Sequence, residues 1–544
     1  MPEPTPRNAA ILSRSRFMSL CIVTSSKRSR AWRFVMLGMF SNKSDHPLAN
    51  LKSAQQLLND LPKTDAVEVL HEIGHWIEGL FDPANGFRLD HQFTVLRMLD
   101  EAAHPHLRKI TQSHFSVIPP NAFTENRLWG AMNGYTNFCD LGYLDLLAGM
   151  QQEEKGSDSI KSSLALICSR GIYAVFAKME CLSVRYMKLD PLLWNHLAAY
   201  YVSAETGQCL DEPVVLYAGS GMSTTVRQLF GSGLMWYIAG VGSFRPLDIH
   251  IAKRLINHLS KSFTVSEQNN ADSMFVFDLA NPTSPTKAKE GDAMYPPSVR
   301  FISSGKAADL FDDILKTLDK DLVPAELNMG VAYSAAMVAE VAHQLVLCCK
   351  TPLPSRRDQR RKIKVSMHVA NGFTQVVDKV LVDFNISESD VWDVEDISST
   401  GLSCILPAAR SNTIKIGSLI GLQPEKIQHW SAGIVRRISR DTQNNLRIGV
   451  EMLASKVVGI VLQGNDGTHV DAETPALFLD KPDAQNGEGW VLMKQDTFSI
   501  NRSPTMIMND QSYLMMPLGL VEKGEDFDLV RYRKMEQDNS TDLA

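Results

Sequence analysis

Residues 391–402 read Val391-Trp392-Asp393-Val394-Glu395-Asp396-Ile397-Ser398-Ser399-Thr400-Gly401-Leu402. The first half of this stretch follows the period of two that is typical of a β-strand with one buried face. The second half carries hydroxyl side chains and a glycine before an apolar residue, which favours a turn. The stretch therefore predicts a strand that ends in a turn.

The same period of two continues along the chain on both sides of this stretch. Strands rich in β-branched residues are predicted at Ile363–Val369, Thr374–Phe384, Val391–Ile397, Gly433–Ser439, Ile448–Met452 and Val458–Gln463. Strands at this density predict a barrel or a sandwich. Further strand-like runs predict a second, small β unit, at Ala476–Leu479, Trp490–Met493, Tyr513–Gly519 and Leu529–Tyr532.

The N-terminal part of the chain has the helical period instead. Apolar residues recur at spacings of three and four in Asn50–Leu61, Val67–Phe81, Phe93–Ala103 and Leu247–Phe263. Asp65 with Glu68 is typical of a capping box at a helix start. Short strands are predicted at Ser273–Asp278 and Ser298–Ser303, and helical sequence resumes until Cys349.

Two prolines in Lys350–Pro354 end the helical pattern, and we place the domain boundary there. The fold class is therefore multidomain α+β: an irregular, mainly helical N-terminal domain, a strand-rich barrel or sandwich domain and a small β-rich C-terminal unit. The predicted ranges are 46–350 for the helical domain, 351–465 for the barrel or sandwich domain, 466–535 for the β-rich unit and 536–544 for a disordered tail. Residues 1–45 are predicted to be a basic start that either is disordered or precedes the true start codon, at Met36 or Met39.

Composition narrows the class of protein. A net charge of -6, with 44% hydrophobic and 21% charged residues, is typical of a soluble globular chain and gives no overall attraction to nucleic acid polymers. The eight cysteines show neither CxxC pairs nor the density of a disulfide scaffold, which indicates buried, reduced thiols. Apolar runs such as Leu234–Val241 are shorter than a membrane-spanning helix requires, and no signal peptide is evident. We expect a cytoplasmic protein without a transmembrane segment.

A basic arm follows the two prolines. Arg356-Arg357-Asp358-Gln359-Arg360-Arg361-Lys362-Ile363-Lys364 contains six basic residues and one acid. Arginine suits a planar ligand that carries phosphate, because its fork donates paired hydrogen bonds to phosphate or to the edge of guanine. Alternatively, the arm is a solvated basic linker.

A second candidate element lies in the turn. Asp396, Ser398 and Gly401 place a carboxylate, a hydroxyl and a glycine at positions i, i+2 and i+5. Glycine permits a positive φ and a close approach, while the two polar side chains can hydrogen-bond a bound base. An ordinary hairpin turn explains the same spacing equally well.

Together the two elements resemble the PilZ family, whose signature is RxxxR on an arm before the first strand and [D/N]xSxxG some 30 to 40 residues later. The resemblance covers about Pro354–Gln463. It implies a six-stranded barrel that binds cyclic di-GMP through the arginine arm and through Asp396, Ser398 and Gly401. Two registers of the arm exist, Arg356 with Arg360 and Arg357 with Arg361, and we prefer the first because it leaves Arg361 where the family enters its first strand.

Two histidine motifs offer a different function. His71-Glu72-Ile73-Gly74-His75 matches HExxH, which on a helix places two imidazoles on one face for zinc, with the glutamate as general base. No third ligand stands at the positions where metalloproteases supply one, so His71 and His75 are weak metal candidates. His104 and His106 could also bind a metal, but Pro105 between them favours a loop or a helix start there instead.

The sequence thus favours a bacterial, non-enzymatic receptor for cyclic di-GMP, with no cofactor beyond that ligand. The resemblance implies a role in motility, pilus or biofilm control, and an unidentified protein partner is expected for the helical domain. The alternatives are an interaction scaffold with a barrel that binds no ligand, and a zinc hydrolase centred on His71 and His75.

Overall fold

The computed structural model describes residues 46–537, apart from residues 63, 219–222, 290–293, 328, 330–332, 351–359, 382–389, 408–413, 465–472, 481–486 and 509–510. The described residues form two compact units. The helical unit lies within Met1–Arg185, Leu189–Val241 and Pro246–Pro354, and the barrel unit lies within Tyr186–Lys188, Gly242–Arg245 and Ser355–Ala544. The expectations for 1–45 and for the tail from residue 538 fall outside the described residues.

The helical unit contains the α-helices predicted from the apolar spacing and several more. Their bounds are α1 Leu51–Asp60, α2 Ala66–Leu80, α3 Leu89–His114, α4 Ala122–Gln151, α5 Ser157–Ile160, α6 Leu164–Ser183, α7 Pro191–Thr206, α8 Val226–Ile238, α9 Pro246–His258, α10 Ala307–Leu318 and α11 Ala335–Cys349. Helix α2 begins where the capping box predicts it, because the carboxylate of Asp65 accepts hydrogen bonds from the N–H groups of Val67 and Glu68.

Helix α3 corrects the prediction of a loop around His104 and His106, since the helix continues through Pro105. A proline in a helix interior costs about 3 kcal/mol, because it removes a backbone hydrogen bond and crowds the preceding turn. Buried apolar side chains line one face of the helix on both sides of the proline, at Leu99, Ala103, Leu107 and Ile110. Their packing offsets the local cost, which the sequence pattern alone does not reveal.

Two small sheets complete the helical unit. Strands β1 Val214–Val215 and β2 Ser223–Thr224 pair with each other. The predicted strands at 273–278 and 298–303 are confirmed, and they belong to a four-stranded sheet in the order β3-β6-β4-β5. The bounds are β3 Thr264–Ser266, β4 Phe275–Asp278, β5 Thr286–Lys287 and β6 Val299–Ser303.

One helical stretch within the described residues, Ser157–Ser183, is long and apolar enough to cross a membrane by length and composition. Within the fold, 61% of its most apolar window is buried. Its second part, α6, is covered on nearly all sides by other helices, and even its Arg170 is 2% exposed. This burial is typical of the central helix of a globular domain.

The first barrel is closed by six antiparallel strands in the order β10-β11-β12-β9-β8-β7. The bounds are β7 Arg361–Asn371, β8 Asp390–Ile397, β9 Gly401–Leu406, β10 Leu419–Pro424, β11 Ser431–Arg440 and β12 Leu446–Ala454. Alternate side chains fill its interior, among them Trp392, Val394 and Leu402. The six-stranded barrel implied by the resemblance is confirmed.

A helix, α12 Phe373–Leu381, occupies most of the stretch that we predicted as a strand at Thr374–Phe384. The valines of this stretch suggested a strand, yet its apolar residues also recur at the helical spacing. Phe373, Val376 and Val377 are buried. They pack in a core shared by both barrels, so tertiary burial of one helical face decided between the two patterns.

The small β-rich unit is itself a closed barrel of six antiparallel strands, in the order β13-β14-β15-β18-β17-β16. The bounds are β13 Lys456–Gln463, β14 Thr474–Asp480, β15 Glu488–Lys494, β16 Thr505–Met508, β17 Gln511–Lys523 and β18 Phe527–Glu536. Numbered within each barrel, the strands follow one another around both barrels in the same cyclic order. The second barrel thus repeats the topology of the first.

Strand β13 contains Val458–Gln463, which we had assigned to the first barrel. It pairs instead with β14 and β16 of the second barrel. One residue, Ser455, separates it from β12, and no composition change marks the passage between the barrels. The fold as a whole is the multidomain α+β arrangement that the sequence predicts, with a helical N-terminal region and two closed barrels.

Candidate functional site

A cavity of about 520 Å³ opens on the outer face of the first barrel. The described residues that line it are Arg360, just before β7, and residues of the end of β8, the β8–β9 turn, β9, β11 and β12. Outer-face residues such as Ser403 and Glu451 alternate with Leu402 and Val450, which point into the barrel core. The site is therefore built on one side of a rigid sheet, beside a turn and an arm.

The turn holds three of the predicted site residues together. Asp396 lies near the end of β8, Ser398 follows it in the turn and Gly401 opens β9, and all three line the cavity. The N–H and the hydroxyl of Ser398 both donate to the carbonyl of Gly401, at 2.7 and 3.1 Å. These bonds close a tight hairpin, which fixes Asp396 and Ser398 at the cavity rim.

Gly401 is required by a close approach rather than by its φ, which is not positive. A Cβ built on this residue would lie 2.5 Å from the carbonyl oxygen of Val450 on β12. Any other side chain would therefore push two paired strands apart. The positive φ that we suggested for this glycine is not observed.

The arm meets the turn through Arg360. Its Nη1 donates to Oδ1 of Asp396 at 2.8 Å, and both side chains are partly exposed. Arg361 begins β7 and pairs with Ile397, and it does not line the cavity. Arg356 and Arg357 lie outside the described residues. The structure thus brings Arg360, Asp396, Ser398 and Gly401 to one cavity and leaves Arg361 beside it.

The cavity is also lined by three arginines that sequence reasoning did not select as site residues: Arg436, Arg437 and Arg447. Consecutive residues of a strand normally point to opposite faces. A register shift in the pairing of β11 with β12 between Val435 and Arg437 lets both Arg436 and Arg437 line the same cavity. The Arg436-Arg437 pair was visible in the sequence, but nothing in it marked the bulge.

The three arginines differ in their partners. Arg436 contacts Glu451 and also Glu522 of the second barrel, with Nη2 2.7 Å from Oε2 of Glu522. Burial alone would lower the pKa of Arg436, but the two carboxylates raise it, so the guanidinium stays charged. Arg447 pairs with Glu395 at 3.0 Å.

Arg437 is exposed and forms no salt bridge within the described part of the chain. With Arg360, Arg436 and Arg447, it brings the cavity lining to four arginines against two acids, Asp396 and Glu451. The chain as a whole is negative. Glu395 and Glu522 also pair with Arg447 and Arg436, so Arg437 is the lining guanidinium without a salt bridge among the described residues. It offers charge-assisted hydrogen bonds to an anion in the cavity.

The chain matches two family models. One, described as "Cyclic-di-GMP receptor FimW, N-terminal domain", matches residues 52–270. The other, described as "Cyclic-di-GMP receptor FimW, middle PilZ domain", matches residues 387–458. Together the matches cover more than half of the chain.

The C-terminal part of the chain contains a domain of the PilZ family. The match confirms the resemblance and assigns the first barrel as the PilZ domain. It includes Asp396, Ser398 and Gly401, whereas the arm residues Arg356–Arg361 precede it. A search of curated proteins found no match.

The HExxH motif lies on α2, with His71, Glu72 and His75 exposed and Ile73 and Gly74 facing the core. His75 lies 3.9 Å from Glu78, another exposed side chain of the same helix. Across the described ranges, no group of three His, Cys, Asp or Glu side chains is arranged to hold a metal ion. The motif thus supplies two exposed imidazoles on a helix whose opposite face packs into the core.

Proposed function

We propose that this protein is a receptor for cyclic di-GMP and that the PilZ-domain cavity binds the dinucleotide. The observation that carries the proposal is the meeting of Arg360 with Asp396, Ser398 and Gly401 at one cavity, although the arm and the turn are distant in sequence. The cavity volume of about 520 Å³ falls within the range of small-molecule sites. Both matching family models describe a cyclic-di-GMP receptor.

Each side chain has a role that suits this ligand. Arg360, with Arg356 of the preferred register, would donate paired hydrogen bonds to a phosphate or to the O6 and N7 edge of a guanine. Asp396 would accept from guanine N–H groups, and the Ser398 hydroxyl can donate or accept. Arg437 offers an exposed guanidinium at the same cavity for a second phosphate contact.

In the described structure the contact between Arg360 and Asp396 connects the arm to the turn. Both side chains are partly exposed, so water screens their attraction and the pair contributes little stability. A ligand that offers phosphate to the arginine and N–H groups to the carboxylate can replace it with stronger, charge-assisted bonds. Binding would then hold the Arg360 side chain at the cavity, at some cost in conformational entropy.

The proposed output is signalling rather than catalysis. Because the arm joins the PilZ domain to the helical unit along the chain, we propose that ligand changes the arrangement or the partner binding of the helical unit. The family resemblance suggests motility, pilus or biofilm control by a cytoplasmic protein. Small-angle scattering with and without saturating cyclic di-GMP tests the proposed change in the arrangement of the helical unit, and identical profiles would contradict that change.

Calorimetric titration of cyclic di-GMP into the full-length protein tests the proposal, with GTP as the ligand control. We expect micromolar or tighter binding that Arg360→Ala and Asp396→Ala abolish or weaken strongly. Lys364→Ala is the matched control, since Lys364 is an exposed cation on β7, four residues after Arg360, and does not line the cavity. Absence of binding by the parent protein would favour the interaction scaffold.

The same titration distinguishes the two registers of the arm. If Arg356 and Arg360 bind the ligand, the double variant Arg356→Ala with Arg360→Ala loses binding and Arg357→Ala with Arg361→Ala retains it. The position of Arg361 at the start of β7, outside the cavity lining, supports the first register. The reverse result would establish the second register.

A further inference from the structure

The helical unit contains a cavity of its own, of about 530 Å³. Helices α3, α4, α6, α8 and α9 supply most of its lining. Its floor is formed by buried aromatic side chains, which include Phe115, Phe176, Tyr217 and Trp236. Cavities of this size with an aromatic floor are typical of small-molecule sites.

One wall of this helical-unit cavity carries a buried group of charged and polar side chains. Glu180 accepts from Lys253 Nζ at 2.7 Å through one carboxylate oxygen and lies 2.9 Å from His250 Nδ1 through the other. The side chains are 9 to 14% exposed. Buried ionised groups are expensive to desolvate, so their presence beside a cavity marks the cavity as a candidate functional site.

A second wall presents an unsatisfied polar atom. His104 stacks on Tyr217, with ring centroids 3.7 Å apart, and both residues line the cavity. Its Nδ1 is buried and has no hydrogen-bond partner within the described residues. Burial lowers the pKa of His104, so its ring is neutral near pH 7. A buried polar atom without a partner is uncommon, and a bound ligand would supply one.

The rim of the cavity is basic. Arg108 and Lys261 are exposed there and Arg254 is half-buried, while Glu326 is the acid among the described rim residues. Three cations thus face one carboxylate in a chain whose net charge is negative. The charge of the rim attracts anions to an opening above an aromatic floor.

We propose that the helical unit binds a small amphipathic anion in this cavity, with a flat apolar body against the aromatic floor and a carboxylate, sulfonate or phosphate at the basic rim. This site is separate from the PilZ-domain cavity and does not depend on the proposed function. It would give the receptor a second chemical input, in the unit for which the sequence offered no ligand.

Fluorescence titration with anilinonaphthalene sulfonate tests the proposal, because this probe combines a flat aromatic body with one anionic group. The full-length protein should show one saturable site. Arg108→Glu should weaken binding about tenfold, since it reverses a charge at the rim. Lys109→Glu is the matched control, because Lys109 is an exposed cation one residue further along α3 that does not line the cavity, and it should change affinity less than about twofold.

Two further variants locate the probe. Ala177→Phe, which adds a ring inside the cavity, should reduce the number of bound probe molecules, and its unfolding temperature reports whether the fold is retained. Asp396→Ala alters the PilZ-domain cavity and should leave probe binding unchanged. Absence of saturable binding, equal effects of Arg108→Glu and Lys109→Glu, or loss of the probe in Asp396→Ala would each overturn the proposal.

Discussion

Arg436 of the PilZ domain lines the candidate cyclic-di-GMP cavity and at the same time forms a paired contact with Glu522 of the second barrel, with Nη2 2.7 Å from Oε2. A ligand phosphate in the cavity would compete with this carboxylate for the same guanidinium. The contact therefore gives the second barrel a direct electrostatic connection to the ligand site.

Glu522→Gln should strengthen binding of cyclic di-GMP about two- to fivefold, because it removes the charge that holds Arg436 and leaves the guanidinium more available to phosphate. Calorimetric titration measures the change. Glu525→Gln is the matched control: Glu525 is a nearby acid that pairs with Lys415 at 2.7 Å, and neither residue lines the cavity. Equal changes in affinity in the two variants would show that the effect comes from the overall charge of the protein and not from the contact between Glu522 and Arg436.

Gly401→Ala should destabilise the barrel unit by about 1–3 kcal/mol, because the added methyl group would lie 2.5 Å from the carbonyl oxygen of Val450. Chemical denaturation followed by tryptophan fluorescence measures the loss, since Trp392 lies in the core of the same barrel. Gly464→Ala is the control, as a Cβ there meets nothing within 4 Å. If both alanine variants were as stable as the parent protein, the close approach of β9 to β12 at Gly401 would be contradicted.

Asp526→Ala should lower stability by about 1–2 kcal/mol, because one carboxylate accepts from two backbone N–H groups of the PilZ domain. The N–H of Phe373, at the start of α12, donates to Oδ2 at 2.5 Å, and the N–H of Leu419 donates to Oδ1 at 3.1 Å. Asp526→Asn, which keeps one oxygen acceptor, should lose less. Thermal unfolding compares them, and an equal loss in both variants would indicate that charge rather than acceptor number matters.

The buried Glu180 predicts an acid-dependent stability. Burial alone would raise its pKa, but Lys253 and His250 lower it from an ordinary 4.5 to about 2. A carboxyl whose pKa falls on folding stabilises the protein above its unfolded pKa and loses that contribution as the pH falls through the folded value. We therefore expect its contribution to be complete above about pH 5 and to disappear between about pH 4.5 and 2.

Lys253→Met tests this expectation. At pH 7 the variant should lose about 3 kcal/mol of unfolding free energy, because Glu180 is left buried without its ammonium partner. The loss should shrink near pH 3, where Glu180 can take up a proton in the variant. Lys161→Met, which removes an exposed lysine paired with Asp158, should have no measurable effect at either pH. A loss of the same size at both pH values would contradict the assigned charge state of Glu180.

Local pattern was sufficient for much of the fold. The alternation in 391–402 predicted β8 and its turn, and Asp65 predicted the start of α2, because capping and period depend on residues within a few positions. The turn motif was likewise visible, since Asp396, Ser398 and Gly401 are neighbours in the chain. The site roles assigned to these residues and to the arm stay predictions that binding measurements must test.

The sequence by itself determined the two kinds of period, the boundary prolines and the family motifs, all of which are local. Only the tertiary structure decided that Phe373–Leu381 is a helix, that Lys456–Gln463 belongs to the second barrel, and that Arg436, Arg437 and Arg447 join Arg360 at one cavity. Each of these depends on which distant strand or core an element meets. Pairing partners and bulges arise from packing across the whole unit, so the spacing of residues along the chain does not reveal them.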